Sequence, residues 1–234
     1  MNEQWKEELR AAAKPEKIDV LSRFFKTGPG EYGEGDRFIG LTVPDNRAMS
    51  RQHRDASLEE ISAMLHEEIH EFRLAGLLAL VAKFSKERDN NRRREIVDFY
   101  LAHAERINNW DLVDLSAPQI LGAWLLDNPS PTLLDRLGND GCLWRQRIAI
   151  VATYTLIKAN RLDDTFRLAE HYLTHPHPLI HKATGWMLRE AGKRDLDRLR
   201  AFLDTHADKM PRTALRYAIE KMDADERKHI MNKS

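Results

Sequence analysis

The chain has 234 residues, of which 42% are hydrophobic and 32% charged, enough for one sizeable core or one continuous repeat array. It contains no run of about 18 apolar residues, so we expect no membrane-spanning helix and no membrane partner. Its formal net charge of zero at first argues against a nucleic acid partner.

The charge is unevenly distributed along the chain. Residues 1–140 contain 19 Lys and Arg against 25 Asp and Glu, a net charge of −6. Residues 141–234 contain 18 against 12, a net charge of +6. This asymmetry is compatible with one region that faces a polyanion, although solvated helices often carry such charges without any partner.

The N-terminal segment and the cysteine content bear on the cellular compartment. Residues 1–17 mix both charge signs and contain no apolar stretch, so we expect no signal peptide. The single cysteine, Cys142, excludes an internal disulfide and is typical of a reducing compartment. We therefore expect a cytoplasmic protein, and interpret Cys142 as a core or helix-start residue.

Apolar residues recur at helical spacing along nearly the whole chain. The segments with this spacing are 5–12, 16–26, 70–87, 94–104, 144–158, 164–173, 179–191, 196–203 and 212–222. Residues typical of helix starts are Pro15, Pro44, Ser57, Pro131, Asp163, Pro178 and Pro211. Residues 27–43, which hold five of the 11 glycines, predict an ordered loop instead.

Five of the helical segments resemble one another. Each opens on a charged residue and continues with small and apolar residues, and the starts lie 38, 36, 35 and 30 positions apart: Arg73, Asp111, Arg147, Lys182 and Arg212. Helix pairs repeating at this period stack on their neighbours to bury their apolar faces. The pattern predicts an all-α fold, a curved α-solenoid of HEAT-like antiparallel helix pairs with one concave face. We expect one domain over residues 1–234.

Four motifs carry a resemblance to a known family. They are YGEGDRFIGLTVPDNR at 32–47, NNWDLVDLSAP at 108–118, LWRQRIAI at 143–150 and HKATGWMLRE at 181–190. In their order and spacing they resemble the AlkD-like DNA alkylation repair family of HEAT-like-repeat DNA glycosylases. The resemblance covers nearly the whole chain and implies that the concave face binds double-stranded DNA with alkylated bases.

The resemblance also implies catalytic residues. The family's W-x-x-x-D motif, which supplies a tryptophan and the catalytic carboxylate, matches Trp110 and Asp114. A second tryptophan and an arginine of the same cleft match Trp186 and Arg147. Arg189 lies one helical turn beyond Trp186 and is expected to point the same way.

The resemblance implies further DNA contacts, but its motifs identify the residues that make them less specifically. Arg145 and Lys182 are candidates for phosphate contacts, although Arg145 and Arg147 cannot point the same way on one helix. Where the family commonly has a tyrosine, this chain has Phe24 next to Phe25, so a polar contact through a hydroxyl is lost. The resemblance further implies recognition from the DNA backbone side, without a deep pocket for the base.

The expected chemistry suits these residue types. A purine alkylated at N3 or N7 is cationic and leaves as a neutral base, so no general acid is needed. One carboxylate, Asp114, stabilises the oxocarbenium-like sugar and orients the attacking water. The indole faces of Trp110 and Trp186 attract the cationic nucleotide. We expect no metal and no cofactor, and a monomeric protein associated with the nucleoid when bound to DNA.

Several residues also have a simpler structural interpretation. Trp5, Trp124 and Trp144 are expected to be packing residues, as Trp110 and Trp186 would be without the resemblance. Asp111, directly after Trp110, is a rival to Asp114 and looks like the N-cap of the following helix. Four histidines, interrupted by prolines, suggest a loop between helices rather than a metal site: His171, His175, His177 and His181.

Two other functions remain open at this stage. One is a non-catalytic HEAT-like protein of the same superfamily that binds distorted or branched DNA. The other is a HEAT-type protein scaffold with no nucleic acid role. Relatives of the first kind depart from the tryptophan and aspartate positions, which this sequence keeps at Trp110 and Asp114.

Overall fold

The helical spacing of the sequence is realised in the structure. A computed structural model describes residues 2–232 of the protein, and no strand occurs among them. In chain order the α-helices are α1 (Asn2–Ala11), α2 (Ile18–Phe24), α3 (Val43–Ser50), α4 (Leu58–Leu65), α5 (His70–Lys86), α6 (Asn90–Ala102), α7 (Trp110–Ser116), α8 (Ala123–Asp127), α9 (Pro131–Gly138), α10 (Leu143–Lys158), α11 (Asp163–His171), α12 (Pro178–Gly192), α13 (Leu196–His206), α14 (Arg212–Ala218) and α15 (Ala224–Asn232). The all-α class is confirmed.

The helix starts follow the expected chemistry. Ser57 caps α4 in a reciprocal capping box with Glu60, which satisfies two backbone N–H groups at once. Pro131 and Pro178 are the first residues of α9 and α12, where a missing N–H costs nothing. Short 3₁₀ turns precede or follow several helices, and a π-helical segment covers Pro118–Gly122. None of the helices in residues 2–232 is long and apolar enough to cross a membrane.

The chain divides into two compact units, Met1–Ile120 and Leu121–Ser234, hereafter the first and second unit. The expected single domain over 1–234 stays a prediction. In the first unit the 17-residue helix α5 is central and packs against α3, α4, α6 and α7. Most of its side chains are buried, which explains why its apolar residues are not confined to one face.

The second unit consists of two rows of helices. In one row, helix α12 packs against both α10 and α14. In the other row, α9 packs against α11. The rows meet because α10 contacts α9 and α11, and α12 contacts α11 and α13. A close approach sets the spacing of α12 and α14, since a Cβ on Gly185 would lie 2.3 Å from the carbonyl oxygen of Ala214.

The glycine-rich loop is ordered by one buried carboxylate. Glu71, at the start of α5, accepts hydrogen bonds from the backbone N–H groups of Ile39, Gly40 and Leu41 at 3.0–3.2 Å. Gly40 has φ +87°, and a Cβ there would lie 1.9 Å from the carbonyl oxygen of Lys14. Only glycine fits this position. The loop that the sequence predicts is therefore present, and it is anchored to α5.

Candidate functional site

One cavity in the first unit has four Phe or Trp side chains among its largely apolar lining residues. Phe24, Phe25, Phe38 and Trp110 line it, and we call it the aromatic cavity. Its volume is about 400 Å³, within the range of small-molecule sites. Asp114 also lines it. Three residues implied by the resemblance, Phe24, Trp110 and Asp114, are thus brought to one place.

The four rings of this cavity form a continuous chain of contacts in space. Phe25 stacks on Phe38 with ring centroids 5.3 Å apart, and its other neighbour, Trp110, lies at 5.4 Å. Phe24 meets Trp110 edge to face at 5.6 Å. Phe25 is buried, whereas Phe24 is 59% exposed. Of the two phenylalanines, Phe24 is therefore the one accessible to a partner.

Helix α7 presents Trp110 and Asp114 to the cavity. They are four positions apart, so they share one helix face. The N-cap of this helix is Asn109, whose side chain accepts from the N–H of Trp110 at 2.9 Å. Asn109 also donates to Asp36 Oδ2 at 3.2 Å, which ties the first turn of α7 to the glycine-rich loop. Asp114 is half-buried.

Asp111 does not have the expected role. The sequence predicts it as an N-cap, but Asn109 occupies that position, and Asp111 lies one residue inside α7. Its side chain is buried, and Oδ2 lies 2.8 Å from His70 Nε2. The prediction is wrong because Asp111 pairs with a histidine 41 positions earlier, which no local pattern indicates.

His70 is the centre of a buried polar network formed with Asp36, Arg73 and Asp111. Its Nδ1 lies 3.2 Å from Asp36 Oδ2, and Arg73 donates to Asp36 Oδ1 at 2.6 Å. Burial alone lowers the pKa of His70, but the charge and hydrogen bond of Asp111, with the hydrogen bond of Asp36, raise it to about 9. The ring is therefore an imidazolium at neutral pH.

Asp36 is charged within this network. Burial opposes its ionisation, but the hydrogen bond from His70 and the charge of Arg73 bring its pKa below the ordinary value. Arg73 also donates to the carbonyl oxygens of Glu67 and Glu68. The network supports the cavity, since His70 stacks on Phe38 with centroids 4.8 Å apart.

A second cavity, of about 410 Å³, is also lined by Asp114. It is lined by Arg47 and Arg51 in addition to Asp114, and we call it the arginine cavity. The two arginines are one helical turn apart and exposed, and neither makes an ion pair in the described part of the chain. They also line a neighbouring cavity of about 320 Å³. Two available cations therefore lie near the candidate carboxylate.

The remaining implied residues belong to the second unit. Arg147 is 4% exposed, and its Nη1 donates to the carbonyl oxygen of Leu179 at 2.6 Å. Arg145 is half-buried and pairs with Asp140 at 3.3 Å. The two arginines therefore point to different partners, as their spacing predicts.

Arg189, Lys182 and Trp186 lie on α12. Arg189 pairs with Glu220 and, at 3.3 Å, with Glu190. Lys182 is exposed. Trp186 is half-buried and lies 5.6 Å from the ring of Tyr154. Their roles toward DNA stay predictions.

The histidines that the sequence groups together have other partners. His177 caps α12 by accepting from the N–H of Leu179, His175 contacts Gln146 at 3.0 Å, and His181 contacts the carbonyl oxygen of His175. Burial lowers the pKa of His175 and of His177. Among residues 2–232 no group of three or more His, Cys, Asp or Glu is placed to hold a metal ion.

Sequence comparison assigns the family. Residues 5–222 match the family described as DNA alkylation repair enzyme. The chain belongs to this family. No curated protein matches the sequence significantly.

The fold of this DNA alkylation repair family member also occurs in a solved structure. That structure, from Enterococcus faecalis, is described as a predicted DNA alkylation repair enzyme. It superposes with a TM-score of 0.72 and 18% sequence identity, covering 91% of this chain and 97% of the other. At this identity the similarity supports the fold alone.

The sequence analysis assigned no role to four residues at or near the site: Asp36, Arg47, Arg51 and His70. Arg47 ends the 32–47 motif without a role having been assigned to it, and the Arg47–Arg51 spacing of one turn is a signal that could have been used. Asp36 and His70 are 34 positions apart, and only the fold brings them together.

Proposed function

We propose that this DNA alkylation repair family member is a monofunctional DNA glycosylase. It hydrolyses the N-glycosidic bond of cationic N3- and N7-alkylated purines in double-stranded DNA. The proposal rests on one observation: Asp114 and Trp110 lie one turn apart on α7 and line the same aromatic cavity. The proposal includes a monomeric protein that acts on chromosomal DNA in the cytoplasm.

The reaction needs a carboxylate but no general acid. The glycosidic bond breaks with its electron pair going to the alkylated base, which leaves neutral. The sugar becomes oxocarbenium-like, and the negative charge of Asp114 stabilises it. Water then attacks C1′, and Asp114 accepts the proton that the water loses. The product is an abasic site with an intact strand, because no lysine nucleophile takes part.

The aromatic rings contribute selectivity. An indole face attracts a cation by about 0.5–2 kcal/mol, so Trp110 favours a charged lesion over a neutral purine. Phe24 offers a ring face without a hydroxyl, and its exposure makes it a van der Waals contact to the nucleotide. Trp186 of the second unit is proposed as a further contact on the basis of the resemblance.

Phosphate binding is assigned first to Arg47 and Arg51. Both are exposed, neither has an ion pair within residues 2–232, and both line a cavity with Asp114. Arg145, Arg147, Arg189 and Lys182 are proposed as further contacts from the resemblance. Among these four, only Lys182 is fully exposed.

The test is base release from a duplex that contains N7-methylguanine. Asp114→Asn keeps the side-chain shape but removes the charge, and we expect the rate to fall by about 10²–10³-fold. Asp98→Asn, which neutralises an exposed carboxylate on α6, serves as the control and should retain the full rate.

Two results would contradict the proposal. An unchanged rate in Asp114→Asn would remove the carboxylate from the mechanism. Salt-dependent binding to DNA by the unaltered protein, with no release of base, would favour the non-catalytic DNA-binding alternative.

A further inference from the structure

The turn between α11 and α12 uses histidine rings to satisfy its backbone. Two of its residues, Pro176 and Pro178, have no backbone N–H group. The N–H of His177 donates to Nδ1 of His175, and the N–H of Leu179 donates to Nδ1 of His177, both at 3.1 Å. His177 is the N-cap of α12, a position where Ser, Thr, Asp or Asn is usual. The first turn of α12 therefore depends on two imidazole nitrogens.

These contacts require both rings to be neutral. A backbone N–H can only donate, so each Nδ1 is an unprotonated acceptor and the ring proton is on Nε2. The other side of His175 agrees with this tautomer, since its Nε2 lies 3.0 Å from Gln146 Oε1, which accepts. A protonated imidazole has a hydrogen on both nitrogens and cannot accept. Neither backbone hydrogen bond can therefore persist once the ring that accepts it is charged.

The surroundings of the two rings also favour the neutral form. Burial, and then the charges of His177, His181 and His171, lower the pKa of His175. Burial, and then the charges of His181 and Arg147, lower the pKa of His177. Both rings are therefore neutral at pH 7 and take up protons only below pH 6.5, the ordinary value for histidine.

The elements around the two rings offer little compensation for new positive charge. Their titratable or charged side chains are Arg145 and Arg147 of α10, Glu170 and His171 of α11, and His181 and Lys182 of α12. Glu170 is exposed to solvent, and Asp140, which precedes α10, already pairs with Arg145. The N-terminus of α12 is itself the positive end of a helix dipole. Protonation of both rings would thus place two cations among other cations.

We propose that His175 and His177 form an acid-sensitive latch on the first turn of α12, hereafter the histidine latch. At neutral pH both rings accept, and the turn is closed. In acid each Nδ1 binds a proton, the N–H groups of His177 and Leu179 lose their acceptors, and the turn opens. The carbonyl oxygen of Leu179, which accepts from Arg147 at 2.6 Å, lies in this turn. Opening therefore changes the surroundings of an arginine that the resemblance assigns to DNA.

The closed state is tested by the ¹⁵N chemical shifts of the imidazole rings in the unaltered protein. At about pH 7.5, well above the ordinary histidine pKa, we expect the Nε2–H tautomer for both His175 and His177. A ring with its proton on Nδ1 could not accept the backbone N–H. Finding that tautomer in either histidine would overturn the proposal.

Amide hydrogen exchange tests the opening. After correction for the intrinsic exchange rate, protection of the Leu179 amide should fall about tenfold as the pH is lowered from about 7.5 to about 4.5, because the cap is lost. His177→Asn keeps a side-chain oxygen for this amide but does not titrate, so most of the loss should disappear. His175→Asn should likewise remove the acid response of the His177 amide.

The matched control is His229→Asn, which removes an exposed histidine of α15 and should keep the tenfold loss at Leu179. Protection of Leu179 that does not change in acid, or that falls equally in His177→Asn and the unaltered protein, would overturn the proposal. Circular dichroism at about pH 7.5 checks that each variant folds. The tautomer measurement needs no variant, so it tests the histidine latch even if one of the substitutions prevents folding.

Discussion

In the first unit the buried charges are gathered behind one cavity, whereas in the second unit the implied arginines are dispersed, each with its own partner. His70, Asp36, Arg73 and Asp111 form one connected network. In the second unit Arg147 donates to a backbone carbonyl, and the other two implied arginines pair with carboxylates. In the described part of the first unit, the exposed Arg47 and Arg51 make no ion pair.

This difference shows that the position of an arginine in a motif does not establish that it is available to DNA. A guanidinium that already donates to a carboxylate must exchange that partner for a phosphate, which reduces the gain in binding. An unpaired guanidinium has no such cost. Four measurements test the comparison, from the largest expected effect to the smallest.

The buried network should respond most strongly to loss of one charge. Asp36→Asn leaves His70 and Arg73 without their shared anion, and we expect the free energy of unfolding to fall by about 3–5 kcal/mol. Asp140→Asn, which loosens the partly exposed pair with Arg145, should cost no more than about 1 kcal/mol. Urea denaturation measures both. If both variants lose the same free energy of unfolding, the buried network of the first unit is no more important for stability than the partly exposed ion pair of the second.

The network should also make stability depend on pH. The folded pKa of His70, about 9, lies above the ordinary value of 6.5. Protonation of His70 therefore stabilises the fold fully below pH 6.5, and this contribution is lost as the pH rises through 9. The free energy of unfolding should decrease by roughly 3 kcal/mol across this window.

His70→Gln serves as the control for this pH dependence, because glutamine does not titrate. The half-buried His175 and His177 of the second unit have lowered pKa values and affect stability only at lower pH. If the pH dependence above neutrality is the same in His70→Gln as in the unaltered protein, the imidazolium assignment is wrong.

Loss of the unpaired arginines should weaken DNA binding. In Arg47→Ala/Arg51→Ala we expect about tenfold lower affinity for duplex DNA, and a salt dependence shallower by up to about 0.9 for each phosphate contact. Arg54→Ala removes a nearby exposed arginine that pairs with Asp55, and it should have a smaller effect. Fluorescence anisotropy at several salt concentrations distinguishes these outcomes, and identical slopes would exclude Arg47 and Arg51 as phosphate ligands.

Release of a paired arginine should have the smallest effect. Glu220→Gln removes one carboxylate from Arg189, and we expect DNA affinity to rise about threefold as the guanidinium becomes available. Glu226→Gln, which removes one of the two carboxylates paired with the unrelated Arg200, is the matched control. If both variants bind DNA as the unaltered protein does, Arg189 does not contact phosphate.

Much of the fold was predictable because helical periodicity is a local property. All nine segments with helical spacing overlap observed helices, and helix starts such as Ser57 and Pro178 agree with the observed N-termini. Trp5, Trp124 and Trp144 are buried, as expected of packing residues. The short helix α8 was not predicted, since its five residues provide too few positions for a period.

The site was predictable only in part. The resemblance supplied Trp110 and Asp114, and the structure brings both to one cavity with Phe24. The pairing of His70 with Asp36 and Asp111 depends on contacts across 34 and 41 positions, which a single sequence does not encode locally. Leu179, which accepts from Arg147, and Glu220, one of the two partners of Arg189, are likewise distant in sequence. The sequence could therefore indicate these cations without indicating that they already have partners.

The anchor formed by Glu71 has a consequence for how this wall of the cavity can change. Its carboxylate contacts only the backbone N–H groups of residues 39–41, so the identity of the side chains at Ile39 and Leu41 is not part of the attachment. Leu41 lines the cavity, so substitutions at this position can reshape the wall while the main chain keeps its course. A library varied at Leu41 with Glu71 retained is a natural starting point for altering which ligands this protein accepts.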